Sequence, residues 1–162
     1  MKKEHAKGKT KSDIVACELQ RFGYSVDAEK IERDQVWVKL NDKNDLHAFV
    51  RRIQTLGFDH CSCISAVDYP PERFTIVYSF WSTKRKCGIC ATVDIGRDGK
   101  IPSIAGFYGG ANWQERESYD LMGIVFEGHP DLRRVLLSED TKYHPLRKDF
   151  RHPYYPEKDT NS

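Results

Sequence analysis

The sequence predicts an α+β fold: a two-layer sandwich with helices on one face of a mostly antiparallel sheet, followed by an extended C-terminal arm. Three observations predict it. Some segments carry apolar residues at helical spacing, others alternate apolar and polar residues with period two, and turn-rich connections separate them. The resulting order is helix–strand–strand–helix–strand–strand–strand, a pattern of an α+β domain. Beyond residue 123 neither period persists.

Residues 1–11 hold five lysines and no large apolar side chain beyond Met1, and read as a disordered basic tail. Ser12 is placed to cap a helix carrying Ile14, Val15, Leu19 and Phe22, stopped near Gly23. Val36, Val38 and Leu40 alternate with Trp37 and Lys39, as a half-buried strand does. Leu46, Phe49, Val50, Ile53 and Leu56 form one helical stripe, with Arg51 and Arg52 toward the C-terminal end and Gly57 as the stop. A strand over 58–67 sets Phe58, Ile64 and Ala66 on one face and Cys61, Cys63 and Val67 on the other. Strands over 74–81 and 87–95 follow, the first with Phe74, Ile76, Tyr78 and Phe80 inward, the second with Ile89, Ala91, Val93 and Ile95 inward. Pro70-Pro71 and Lys84-Arg85-Lys86 are the connections, the latter a hairpin tip, and Gly96 to Gly110 is turn-rich.

A third helix runs from Trp113 to Met122. Asn112 is its expected N-cap, Glu115 the capping-box acid and Gly123 the left-handed stop. At about 100° per residue, Trp113, Arg116, Glu117, Asp120 and Leu121 share one half of it. Charges mixed with a tryptophan imply a covered face, under more of this chain or another protein. Residues 124–162 carry Pro130, Pro145, Pro153 and Pro156 among dense mixed charge, and only Arg133 to Leu137 fits a short strand. A long structureless segment is unusual inside a compact domain. The expected organisation is a tail over 1–11, a core domain over 12–123 and a partner-binding arm over 124–162, anchored by Phe126, Leu136, Leu137, Leu146 and Phe150.

A length of 162 residues fits one domain that buries roughly 70% of its unfolded surface. The hydrophobic share is 39% and the charged share 31%, so long polar segments accompany the core. A net charge of +2 is too small to argue for nucleic acid by itself. The longest apolar run, Phe74 to Trp81, is far short of the ~20 residues of a membrane span. No apolar signal core follows the basic start, so the chain is expected in the cytosol, meeting a membrane only through partners. Five cysteines, an odd count, favour free thiols.

Several groupings are candidates for chemistry. Glu117 and Asp120 are helix neighbours, and two covered carboxylates raise one pKa, a route to a general acid. Neutralisation by Arg116, Arg133, Arg134, Arg147 and Lys148 is the favoured reading. Cys61, Cys63, Cys87 and Cys90 supply four sulfurs for zinc or an iron–sulfur cluster. The opposite strand parity of Cys87 and Cys90 argues for thiols without metal. His129, His144 and His152 each precede a proline and read first as loop elements. Arg133-Arg134 and Arg147-Lys148 are interleaved with Asp131, Glu139, Asp140 and Asp149, which breaks up any basic field. Gly106-Phe107-Tyr108-Gly109-Gly110 lacks the spacing and the lysine of a phosphate loop. No catalytic constellation stands out, and a core with a charged arm suits an assembly subunit.

Three blocks carry a resemblance: Asn112-Trp-Gln-Glu-Arg-Glu-Ser-Tyr-Asp-Leu-Met-Gly123, then Phe126-Glu-Gly-His-Pro-Asp-Leu-Arg-Arg134, then His144-Pro-Leu-Arg-Lys-Asp-Phe150. With Ala66-Val-Asp-Tyr-Pro70, Arg73-Phe74 and Val77-Tyr78 upstream, the chain resembles the C subunit of proton-pumping NADH:quinone oxidoreductase, respiratory complex I, over residues 13–150. It departs from that pattern at Leu137-Ser138-Glu139-Asp140-Thr141, at Tyr143 and in its extra cysteines. The resemblance implies a peripheral-arm subunit without a cofactor of its own and without catalytic residues. Iron–sulfur clusters, flavin and quinone would sit in its partners, an iron–sulfur subunit and a quinone-site subunit related to hydrogenase large subunits. The arm would wrap that neighbour. Electrons would pass from NADH, or from another reduced donor such as a deazaflavin coenzyme, to quinone with proton transport, at the cytoplasmic side of the cell membrane. The motif and interface residues would be Trp113, Glu115, Arg116, Glu117, Asp120, Gly123, Gly128, His129, Pro130, Arg133, Arg134, His144, Pro145, Leu146, Arg147, Lys148 and Asp149. Alternatives are the equivalent subunit of an energy-converting hydrogenase or ferredoxin-linked complex, and a stand-alone cysteine metal or redox module.

Overall fold

The computed structural model describes residues 10–32 and 34–151, with the side chains of 28–32 left out. Most of the expected basic tail, the end of the expected arm and His152 lie outside the described residues.

Helix α1 (Lys11–Arg21) is capped by Thr10 and not by Ser12: the Thr10 hydroxyl accepts from Asp13 N–H at 3.2 Å, and Asp13 accepts from Thr10 N–H at 2.7 Å. Ser12 is buried inside the helix. Strands β1 (Ser25–Glu32) and β2 (Gln35–Leu40) form an antiparallel pair. A short 3-10 turn leads into α2 (Leu46–Thr55), whose Leu46, Phe49, Val50 and Ile53 are wholly buried as the stripe predicts. Then come β3 (His60–Tyr69), β4 (Arg73–Ser82) and β5 (Cys87–Gly96). The inward rows of β4 and β5 are those the alternation predicts, and all eight side chains are buried.

The sheet order is β1-β2-β5-β4-β3, antiparallel except where β2 runs parallel to β5. The helices and the inward rows share one core, in which Phe49 meets Tyr24 edge-on at 5.0 Å and packs toward Phe80 at 6.3 Å. That core and the one covered sheet face make the α+β sandwich. A bulge between Cys61 and Cys63 on β3 breaks the expected alternation. Cys61 is thereby buried and Cys63 exposed, so the two do not share a face.

The turn-rich stretch after Gly96 hides a strand. β6 (Lys100–Pro102) pairs in parallel with β7 (Val125–Glu127), which follows α3 (Gly109–Met122). Phe126 is buried in the core at 1% exposure, so it anchors this domain and no partner. Among the described residues, no helix is long and apolar enough to cross a membrane.

Candidate functional site

Helix α3 starts earlier than its sequence suggests. Tyr108 is the N-cap, held by its hydroxyl donating to Phe58 C=O at 2.9 Å, and Asn112 lies inside the helix. Glu115 is therefore no capping-box acid. It is fully buried and accepts from Ile104 N–H at 2.7 Å and from the Ser103 hydroxyl at 2.5 Å. Burial pushes its carboxyl up to about 7, against the downward pull of those two hydrogen bonds. His129, its side chain also buried, places Nε2 at 3.9 Å from Glu115. Its Nδ1 accepts from Asp131 N–H at 3.0 Å, which leaves Nε2 to donate to Asn112 C=O at 3.1 Å. Gly128, at φ 82°, turns the chain into this seat, and Pro130 follows exposed.

The far end of α3 is organised by Asp120, also fully buried. One carboxylate oxygen accepts from Val135, Leu136 and Leu137 N–H at 3.0, 2.8 and 2.9 Å, and the other from Arg134 at 2.6 Å. These four donors overcome desolvation and hold the carboxyl at about 2. Three consecutive N–H groups converging on one oxygen require a curled backbone. Arg133 to Leu137 is accordingly no strand.

Gly123 ends the helix at φ 72°, its N–H bonded to Tyr119 C=O at 2.8 Å, as the sequence predicts. A helix leaves its last carbonyls without helical partners. Here the returning segment supplies them. His144 Nδ1 donates to Asp120 C=O at 3.0 Å, Leu146 N–H to Leu121 C=O at 3.1 Å and Arg147 Nε to Met122 C=O at 2.6 Å. Cations at a helix C-terminus also suit its dipole. Pro145 is half-buried between these donors. Lys148 N–H reaches Asp68 at 2.9 Å; Arg97 pairs with the same carboxylate and with Asp149 at 2.8 Å.

The segment after β7, residues 128–151, is a strap across α3, and Arg116 binds it from the middle of the helix, through Arg133 C=O at 3.2 Å and Arg134 C=O at 3.4 Å, with Asp131 at 3.8 Å and the Trp113 ring at 5.5 Å. Arg133 itself is exposed and pairs with Asp131 at 3.0 Å. The expected common face of α3 is thus divided. Asp120 is buried, while Glu117 and Trp113 are exposed. Glu117 and Asp120 form no carboxylate pair, and the general-acid route through their repulsion fails. Ser103, Asp68 and Arg97 escape sequence reasoning. Only Asp68 carries a signal, a carboxylate in phase with inward-facing Ile64 and Ala66.

The cysteines do not converge. Cys87 is buried on the core side, and Cys90 lies on the opposite face beside Ser79 at 3.4 Å. Burial raises the Cys61 thiol to about 12 and lifts Cys87 and Cys90 as well, which opposes the thiolate form a metal needs. Among the described residues, no group of three or more His, Cys, Asp or Glu is placed to hold a metal.

Fold and site define a class: an α+β domain whose signature charges tie a terminal helix to the strap that caps it. Residues 36–156 match the family described as "Respiratory-chain NADH dehydrogenase, 30 Kd subunit", and the chain belongs to that family. It is 44% identical over 107 residues to the C subunit of NADH-quinone oxidoreductase from Rhizobium rhizogenes, covering 65% of this chain and 54% of that one. It is 37% identical over 138 residues to the corresponding NADH-quinone oxidoreductase protein of Chlorobium phaeobacteroides, covering 82% and 83%. The chain thus spans about half the length of the first relative and most of the second. Among solved structures it resembles a trypsin-resistant fragment of Nqo5, with a TM-score of 0.64 and 29% identity over 76% of this chain and all of that one. It shares its fold with a chain of the membrane-bound sulfane sulfur reductase, an archaeal respiratory membrane complex, at a TM-score of 0.77 and 21% identity over 88% and 86%.

Proposed function

We propose that this chain is a peripheral-arm subunit of a complex I-like, ion-translocating quinone oxidoreductase. It carries no cofactor and holds the quinone-site subunit and an iron–sulfur subunit in register while electrons pass through its partners. The observation that carries the reading is the Asp120 network. The family's signature carboxylate is fully occupied by four donors from the strap, so its chemistry is structural. Glu115 is likewise enclosed by Ser103, Ile104 and His129. Trp113, Leu136 and Leu146 on the helix and strap stay more than half exposed, as surfaces awaiting a neighbour do. Membrane attachment, on the cytoplasmic side, comes through the assembled complex, and the donor is NADH or another reduced carrier.

Purification of the tagged full-length chain from native membranes tests this. The expected result is recovery with iron–sulfur and quinone-site partners and donor:quinone activity. Recovery of the chain alone overturns it.

A further inference from the structure

β3 is an edge strand, and among the described residues its outer edge is covered at its two ends. Near its start, Gln114 Nε2 of α3 donates to Ser62 C=O at 3.4 Å. Near its finish, the strap crosses where Lys148 N–H meets Asp68. Between them a groove of about 400 Å³ opens along residues 62–66, walled by Ser118, Leu121 and Met122 of α3 and by Leu146 of the strap. That volume is ordinary for a binding site.

The ladder fixes which peptide groups face this groove. Gly88 N–H bonds Asp34 C=O beside β2, so Gly88 faces β2 and Ile89 faces β4. Phe80, opposite Ile89, then faces β5, and Ser79 and its partner Cys63 face each other. Alternation turns the peptide groups of Ile64 and Ala66 toward the open edge, one N–H and one C=O each, while their side chains stay on the inner face. At the rim stands Glu117, an exposed acid on a helix that buries its other two carboxylates.

We propose that this groove receives a short extended segment of a partner polypeptide as a strand added beside β3. Its N–H groups pair with the outward carbonyls of Ile64 and Ala66, an apolar side chain rests on Leu121 and Leu146, and a Lys or Arg meets Glu117. An edge with unpaired peptide groups is a template for such addition. The window from Cys63 to Val67 is roughly 13 Å long at ~3.3 Å per residue, room for three or four residues. The proposal rests on the assembly role above.

Cys63 is exposed and lines the groove, so it reports occupancy without any substitution. The experiment compares N-ethylmaleimide labelling of Cys63 in the free full-length chain and in the complex purified from membranes. Labelling is expected to slow at least tenfold in the complex. Two variants accompany it. In Ala66→Pro the lost N–H points away from β4, so the sheet keeps its ladder. In Glu117→Lys the rim charge reverses. Both are expected to melt like the parent chain and to be recovered with partners at least tenfold less. If the parent chain co-purifies with its partners while Cys63 labels at the free-chain rate, or while both variants assemble normally, strand addition is overturned and the assembly role stands. A parent chain recovered without partners overturns both. Protection of Cys63 in the isolated chain, rising with its concentration, assigns the edge to a second copy and overturns the proposal. Should Ala66→Pro fail to fold, the labelling of the parent chain still decides.

Discussion

Asp120 and Glu115 lie on one helix, both fully buried, and burial has opposite outcomes for them. Asp120 has four donors and stays ionised, with its carboxyl lowered from 3.8 to about 2. A lowered acid stabilises the fold above its unfolded pKa and loses that contribution as pH falls through the folded value. The shift corresponds to about 2 kcal/mol. Glu115 has two donors and a deeper desolvation, and rises from 4.5 to about 7. A raised acid stabilises fully below the unfolded pKa and loses that contribution as pH climbs through the folded value, here about 3 kcal/mol. Urea unfolding is therefore expected to show falling stability between about pH 4.5 and 7, and Glu115→Gln, whose carbonyl still accepts from Ile104 N–H while its amide N–H donates to the Ser103 hydroxyl, to flatten that slope. A slope unchanged in Glu115→Gln places the proton elsewhere. Asp120→Asn strips the charge from a buried ion pair, and a loss of about 3–5 kcal/mol at neutral pH is expected from the same measurement. A loss under about 1 kcal/mol shows that the strap holds without it.

At the scale of elements, the helix stop and the strap meet at one atom position. A Cβ on Gly123 stands 2.6 Å from Arg147 Nη2 and 2.7 Å from two atoms of the His144 ring, the side chains that cap α3. Gly23 has a similar φ, 84°, with nothing near its would-be Cβ. Gly23→Ala therefore carries the left-handed strain alone, about 1 kcal/mol, while Gly123→Ala adds displacement of the cap and costs roughly 2–4 kcal/mol. Limited proteolysis checks the difference: only Gly123→Ala should speed cleavage within 139–151. The same comparison shows what is legible in the sequence. Gly123 reads as a stop, and the stripe of α2 and the rows of β4 and β5 are readable because their spacing alone sets their faces. The N-cap of α3 misleads because Asn112 has the right side chain, while Tyr108 takes the position without a side-chain capping bond, held there by a tertiary bond to Phe58 that no local pattern encodes. The bulge that separates Cys61 from Cys63 is likewise set by pairing with β4, and β6 is hidden because its partner strand follows a whole helix later. The seat of Glu115 depends on Ser103, whose meeting with α3 is a property of the folded chain.

At the scale of the whole molecule, the buried charges and the exposed tryptophan of the signature helix divide the labour between folding and assembly. Trp113 is 54% exposed on a helix whose Glu115 and Asp120 are fully buried. The Arg116 guanidinium stands over its ring at 5.5 Å, a surface interaction. Removing an exposed ring of this kind changes stability by about 0.5 kcal/mol or less. Tryptophan and arginine are also the residues on which interfaces most often depend, and losing one such anchor commonly exceeds about 1.4 kcal/mol, a tenfold loss of affinity. Trp113→Ala is therefore expected to unfold at the same urea concentration as the parent chain, yet to be recovered with partners at least tenfold less from membranes. Asp120→Asn reaches the same assembly defect by the opposite route, through a chain that is already unstable alone. The two variants separate only when unfolding of the isolated chain and recovery of the complex are measured together. Normal recovery of Trp113→Ala would show that this face of α3 looks onto solvent in the complex, leaving the strap and the β3 edge to make the contacts.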